Sequence, residues 1–143
     1  MISRRHRVIG ISALAVVVVI VAGLLAVLRP LSAEIPAEYQ GWGVIRYGDP
    51  QCAPAHVRGV FRVVEVSDSG RGCTSSNLNL DLPTYYKFQY VYPDGHRKTL
   101  RWGASGGEVN SQVWLMGNTA GDKRMDFFVG DKHQMENSGA PPR

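Results

Sequence analysis

Two cysteines and one histidine are the residues of this sequence whose types and spacing could do chemistry. Cys52 and His56 are spaced C-x3-H, and Cys73 follows further along the chain. Thiolate and imidazole groups bind copper and zinc, so the three residues could form a three-ligand metal site. The sequence offers no fourth ligand nearby, and Pro54 indicates that His56 lies in a loop. An exposed loop histidine is therefore the plainer interpretation of His56.

A disulfide between Cys52 and Cys73 is the other interpretation of the two cysteines. An even pair of cysteines outside the cytoplasm is typical of a disulfide. Closing a loop of about 22 residues would stabilise the fold by about 3 kcal/mol. A strand is predicted between the two residues, so the chain after Gly70 must turn back to bring the sulfurs together. We expect the disulfide, and the metal site stays an alternative.

No recognisable catalytic constellation is present in the sequence. The serines lie in Ser-Gly and Thr-Ser-Ser loops, where no base is placed to activate them. Asp94 and His96 belong to a predicted hairpin turn. Asp122 and Asp126 could serve glycoside hydrolysis as a carboxylate pair, but a loop of solvated charges accounts for them. The stretch GASGGEVN lacks the lysine and the helix of a phosphate loop. We expect neither catalysis nor a cofactor, with an unrecognised hydrolase as an alternative.

An aromatic face is predicted on the strand Thr84–Tyr92. Alternate positions of this strand carry Tyr86, Phe88, Tyr90 and Tyr92. Such a face could form a platform for a ligand or a sugar. Aromatic residues are also favoured in strands and contribute heavily to cores. Core packing is therefore the preferred interpretation, and the platform is the alternative.

An apolar segment covers Val8–Leu28. Its 21 residues would span about 31 Å as a helix, which matches a hydrocarbon core of about 30 Å. The segment is longer than the apolar core of a signal peptide, which is about 7–15 residues. We predict an uncleaved, single-pass anchor, ended by Pro30. A signal peptide cleaved after Ala33 is the alternative.

The net positive charge of the chain belongs to the ends of this apolar segment. Four of the 16 lysines and arginines flank it, and the other 12 are matched by 12 acidic residues. The flanking residues are Arg4, Arg5, Arg7 and Arg29. Because three of them precede the segment, the positive-inside rule predicts a cytoplasmic N-terminus and an exported C-terminal domain. A neutral domain also argues against a nucleic-acid partner.

The rest of the chain is predicted to be all-β. The predicted strands are Trp42–Tyr47, Val60–Val66, Thr84–Tyr92, Arg97–Trp102, Gln112–Met116 and Met125–Val129. Pro93-Asp94-Gly95 predicts a hairpin turn, and Asp131–Met135 a helical turn. We expect a small, mainly antiparallel sandwich or barrel over residues 34–136. Residues 1–33 form the anchor region, LSAEIPAEYQ a polar spacer, and 137–143 a disordered tail.

Short motifs spread over this domain resemble an uncharacterised family of exported, lipoprotein-like domains of unknown function. The motifs are Pro36, Tyr39 and Gly41 before a first strand with Trp42, Val44 and Tyr47; Ser69, Gly70, Thr74 and Ser75; the hairpin KFQYVYPDGHRKTL; and Phe127, Phe128, Val129 and Gly130. The resemblance implies a location in the cell envelope and implies no activity. A helical tether and Cys73 depart from the family pattern.

These observations favour a non-enzymatic binding domain. We expect it to lie outside the cytoplasmic membrane, to be held by its single-pass anchor, and to bind a protein partner in the cell envelope. The alternative from another class is a small copper- or zinc-binding protein that uses Cys52, His56 and Cys73.

Overall fold

The computed structural model describes residues 14–24, 28–78, 85–104 and 108–141, without the side chains of residues 117–120. The strands are β1 Leu31–Pro36, β2 Gly41–Tyr47, β3 His56–Arg58, β4 Phe61–Glu65, β5 Arg71–Thr74, β6 Tyr86–Val91, β7 Arg97–Leu100, β8 Trp102–Ala104, β9 Val113–Thr119 and β10 Arg124–Val129. The helices are α1 (14–24), a 3-10 turn at Ala120–Asp122 and α2 Lys132–Asn137. The prediction of a mainly β domain is confirmed.

The strands form two five-stranded sheets. Sheet A has the order β3-β4-β1-β6-β7, and sheet B has the order β5-β2-β10-β9-β8. Of the eight strand pairings among the described residues, four are parallel and four are antiparallel. The expectation of a mainly antiparallel fold was therefore wrong. The sequence signalled the hairpin of β6 and β7. It gave no signal for the parallel pairs, because parallel neighbours are joined through distant parts of the chain.

Strand β1 lies at the centre of sheet A, between β4 and β6. Leu31, Ala33 and Ile35 point into the core, and Ser32 and Glu34 on the opposite face are also buried. The segment predicted as a polar spacer is thus a central strand that is buried on both faces. It also crosses the predicted boundary between residues 33 and 34.

The hydrophobic core lies between the two sheets. Phe88 of β6 packs against Phe127 of β10, with 5.4 Å between ring centroids, and Tyr86 packs edge-on against Trp102 at 5.5 Å. A glycine at position 43 makes room for the Phe127 ring, because a Cβ there would lie 2.2 Å from it. The two sheets therefore pack as a sandwich, which is one of the two architectures expected.

The chain passes directly between the sheets at two corners. Only Arg101 separates β7 of sheet A from β8 of sheet B. On the other side, Val66 after β4 forms an antiparallel bridge with Gly72 of β5. These short connections fix the relative position of the sheets at both corners.

Helix α2 confirms the helical turn predicted near residue 131. Asp131 caps it: its side chain accepts from the backbone N–H of Gln134, whose own side chain accepts from the Asp131 N–H. Asn137 is the last helical residue, and the carbonyl of Ser138 accepts a hydrogen bond from Trp42. The first residues of the predicted tail thus contact the domain.

Helix α1 covers residues 14–24, and its large apolar side chains are exposed along the whole helix. Within the described ranges, no helix is both long and apolar enough to cross a membrane. Residues 8–13 and 25–27 of the predicted anchor lie outside those ranges, as do Arg4, Arg5 and Arg7, which were predicted to set its orientation.

Candidate anion-binding groove

A groove of about 500 Å³ lies on the outer face of sheet B, next to the disulfide. Side chains alternate across a strand, so Gly43, Ile45 and Tyr47 of β2 face the core while the intervening residues face outward. The floor and walls come from β2, β5, β10 and their connecting loops. The lining residues are Trp42, Val44, Arg46, Asp49, Ser69, Gly70, Arg71, Gly72, Cys73 and Arg124.

Three arginines surround the floor of this groove. Arg71 of β5 is in register with Val44, and Arg124 of β10 is in register with Arg46. Nε of Arg124 donates to Asp126 at 2.7 Å. Arg46 and Arg71 are exposed, and neither side chain has an acidic partner in the described part of the chain. The groove therefore presents positive charge that its own residues leave uncompensated.

The disulfide between Cys52 and Cys73 closes one side of the groove. It ties the loop after β2 to β5, with the two Cα atoms 5.9 Å apart. Backbone hydrogen bonds reinforce this link, since Gly48 N donates to Ser76 O at 3.0 Å and Ser75 N to Ala53 O at 3.1 Å. This wall of the groove is thus held by a covalent bond and by hydrogen bonds.

Asp49 is the acidic residue in the groove lining. Its Oδ1 accepts from the backbone N–H of Gln51 at 3.0 Å, so this carboxylate stabilises the turn that leads to Cys52. A smaller hollow of about 380 Å³ adjoins the groove, shares Arg46, Asp49 and Arg124, and adds Lys123 and Asp122. Taken together the two hollows carry four cationic side chains and two acidic ones.

Aromatic contacts fix the other end of the groove. Trp42 meets Phe128 edge-on, with ring centroids 5.3 Å apart, and its indole N–H donates to Ser138 O at 3.3 Å. The backbone carbonyl of Trp42 accepts from the Tyr39 hydroxyl. Burial raises the pKa of Tyr39 above its ordinary value of 10.0, which keeps the hydroxyl a donor. Trp42 is therefore held in one position at the groove's edge.

Gly70 has a specific role beside Tyr39. Its φ is +77°, and a Cβ there would lie 2.0 Å from the Tyr39 hydroxyl oxygen and 2.5 Å from Trp42 O. Only glycine satisfies both constraints without movement of the backbone. This explains physically why a glycine stands at this point of the sequence.

Comparisons with known proteins show the fold without showing a family. No family description and no curated protein matches the sequence. A solved structure of a candidate lipoprotein from Bacillus anthracis is similar: the TM-score is 0.56 and the sequences are 18% identical. The match covers 80% of this chain and 82% of that chain. The chain shares its fold with this protein, in agreement with the resemblance to lipoprotein-like domains.

The structure confirms the expected disulfide and does not bring the proposed metal ligands together. Cys52 and Cys73 are bonded to each other, so they offer no thiolate. His56 lies on β3 in the other sheet, where Nε2 is 3.3 Å from a guanidinium nitrogen of Arg58. Asp49 approaches both sulfurs, but two bonded sulfurs and one carboxylate are not a suitable ligand set for copper or zinc.

The four aromatic side chains predicted to share one face, three on β6 and Tyr92 just after it, do not form an open platform. Phe88 is fully buried in the core, and Tyr86 packs on Trp102. The hydroxyl of Tyr90 donates to Tyr39 O at 2.8 Å, and Tyr92 stacks on a histidine in the following turn. Phe88 is thus part of the core between the two sheets, and Tyr86 and Tyr90 pack against that core.

Sequence reasoning missed the arginines of the groove. The alternation of β2 could have placed Arg46 with Trp42 and Val44, since all three occupy even positions of one strand. Arg71 gave no such signal, because β5 was not predicted as a strand. Arg124 falls one residue before the predicted start of β10. Their convergence depends on the order of strands in sheet B.

Proposed function

We propose that this chain is an exported, membrane-tethered binding domain of the cell envelope that acts without catalysis. The groove of sheet B is its binding site, and an anionic group of an envelope protein partner is its ligand. The observation that carries the proposal is the pair of exposed arginines, Arg46 and Arg71, which lack acidic partners among the described residues. Guanidinium groups bind carboxylates and phosphates in a bidentate manner, which favours a ligand of either kind.

The size and composition of the groove support a binding role. Its volume of about 500 Å³ falls in the range of small-ligand sites, about 300–1,000 Å³. The described lining includes neither a histidine base nor a free thiol, and the hydroxyl of Ser69 is 2.9 Å from that of Ser67. These groups suit recognition of charge more than activation of a nucleophile.

Two further features support export and a membrane tether. A disulfide persists in oxidising compartments, which favours a domain outside the cytoplasm. The apolar sequence Val8–Leu28, within which α1 lies, favours a single-pass anchor with its N-terminus inside. Strand β1 argues against cleavage after Ala33, since this cut would divide a buried strand. The fold shared with a candidate lipoprotein fits the same location.

Calorimetric titration of the full-length chain in non-ionic detergent tests the groove. The probes are pyrophosphate and a hexaglutamate peptide, which distinguish a phosphate from a carboxylate ligand. We expect binding of one probe to weaken at least tenfold in Arg46→Gln and in Arg71→Gln, and to weaken with added salt. Arg101→Gln is the matched control, because Arg101 is exposed at the corner between β7 and β8.

Equal affinities in all three variants would contradict the proposed site.

Crosslinking in intact cells identifies the partner. A photoreactive residue in place of Val44, on the groove floor, should capture a specific envelope protein. The same residue in place of the exposed Lys98 on β7 should not capture it. Recovery of the same neighbours from both positions would count against a specific partner.

A further inference from the structure

One end of sheet A gathers the segment before β1, the turn between β3 and β4, and the start of β6. Pro30 O accepts from Arg62 N at 2.9 Å, and the side chain of Arg29 donates to Gly59 O at 3.4 Å. In register, Leu31 pairs with both Arg62 and Tyr86. The chain therefore enters the domain at this end, which we call the entry end.

Exposed apolar side chains are concentrated at the entry end. From residue 28 onward, the large hydrophobic side chains exposed on the described domain are Leu28, Val57, Val60, Tyr85 and Val109. All but Val109 belong to the entry end. Val60 at the turn is 65% exposed, and Tyr85 is 62% exposed. Apolar side chains grouped in this way indicate a surface that contacts something other than water.

Cationic side chains stand beside these apolar ones. Nζ of Lys87 lies 5.1 Å above the ring of Phe61, which in turn contacts Tyr85 with ring centroids 6.3 Å apart. Neither Lys87 nor Arg29 has an acidic partner among the residues that the structure describes. On the same face of the sheet, Glu34 is paired with Arg58 and Arg97. Glu65 lies level with Glu34, further from the entry end than Lys87. The entry end thus combines apolar tips with uncompensated positive charge.

We propose that the entry end rests on the surface of an anionic phospholipid bilayer. Val60 and Tyr85 enter the interfacial layer, where tyrosine is favoured, and Arg29 and Lys87 contact the headgroup phosphates. The proposal rests on the membrane tether of the proposed function. Residues 28–30 alone join the apolar segment to β1, and three residues span at most about 11 Å. The tether would therefore hold this end of the domain against the bilayer.

Two tyrosines at opposite ends of β6 provide a matched pair of positions for the test. Tyr85 precedes the strand at the entry end, and Tyr92 follows it at the far end. At about 3.3 Å per residue, they are separated by roughly 23 Å along the strand. Each is replaced singly by 4-trifluoromethylphenylalanine in the full-length chain. Equal unfolding temperatures establish that both variants fold alike.

The full-length variants are incorporated into vesicles of phosphatidylcholine and phosphatidylglycerol that contain a headgroup spin-labelled lipid. We expect paramagnetic broadening of the fluorine signal to be at least fivefold stronger at position 85 than at position 92. The difference should shrink in Lys87→Gln, in Val60→Asp and in vesicles of phosphatidylcholine alone. Equal broadening at both positions in vesicle-bound chain would overturn docking and leave the tether intact. Failure of the chain to float with vesicles after a carbonate wash would overturn the tether, and docking with it.

Discussion

The Glu34 carboxylate accepts a hydrogen bond from Nε of Arg97 at 2.7 Å, although the two residues lie 63 positions apart in the chain. Glu34 is 5% exposed on the central strand of sheet A, and Arg58 from β3 pairs with the same carboxylate. Two edge strands on opposite sides of the sheet thus supply the cations that allow an acid to be buried at its centre.

The free energy of unfolding should depend on pH because Glu34 is paired with Arg58 and Arg97. Burial alone raises the pKa of Glu34, but the hydrogen bond from Arg97 and the charge of Arg58 outweigh it and lower the pKa below the ordinary 4.5. A lowered pKa in the folded chain stabilises it above about pH 4.5, and this contribution is lost as the pH falls through the folded pKa. We expect Glu34→Gln to cost about 1–3 kcal/mol at pH 7 and much less at pH 3, measured by urea unfolding.

Glu65→Gln is the control for this prediction. Glu65 lies on β4, in register with Glu34 of β1, but its side chain is exposed. Its substitution should change the free energy of unfolding by less than about 0.5 kcal/mol at either pH. An equal loss of stability in Glu34→Gln at pH 7 and at pH 3 would show that the charge of Glu34 does not stabilise the fold.

Removal of the disulfide should lower the free energy of unfolding, and the chain should still fold. The bond closes a loop across 21 positions, so its loss should reduce the free energy of unfolding by about 3 kcal/mol. Urea unfolding of Cys52→Ala/Cys73→Ala measures the effect, and addition of reductant should not destabilise this variant further. Two freely alkylated thiols in the native chain would contradict the bond.

A chain that begins at Glu34 should not fold. It lacks Leu31, Ser32 and Ala33, which form half of the central strand and are all at most 3% exposed. A chain that begins at Arg29 retains β1 and should give the circular dichroism and cooperative unfolding of the native domain. By the same reasoning, the mature protein isolated from membranes should not begin at Glu34, which its intact mass determines. Cooperative unfolding of the shorter chain would show that β1 is dispensable.

Gly43→Ala should destabilise the sandwich. The added methyl group would meet the ring of Phe127, with the nearest ring carbon 2.2 Å away, and this ring is fully buried between the sheets. Overpacking of this kind costs about 1–3 kcal/mol. Gly121→Ala is the control, because open space surrounds that position. Thermal unfolding compares the two, and equal unfolding temperatures would mean that the ring moves aside freely.

The sequence predicted those strands that carry their own local signal. The alternation in β6, the turn at Pro93-Asp94-Gly95 and the apolar run of β10 were sufficient, and the predicted bounds lie within a few residues of the observed ones. Strand β1 gave no such signal. Ser32 and Glu34 made it look solvent-exposed, and the burial of Glu34 depends on cations from β3 and β7 that only the folded sheet brings close.

The candidate groove was likewise predictable only in part. The disulfide could be predicted because the sequence has only two cysteines, Cys52 and Cys73, and both were expected in an oxidising compartment. The arginines around it come from three strands, and their meeting depends on parallel pairing of β5 with β2. Parallel pairs have no short connecting turn, so local sequence does not identify them.

The position of β1 has a mechanical consequence for a domain held at its N-terminal side. Residues 28–30 lead straight into β1, which pairs with β4 over Leu31–Glu34 and with β6 over Leu31–Pro36. A pull transmitted through these residues runs parallel to the strand, so it loads both ladders in shear at once and does not open them one bond at a time. Under the proposed tether, the strand next to the attachment point is thus one that is held by a ladder on each side.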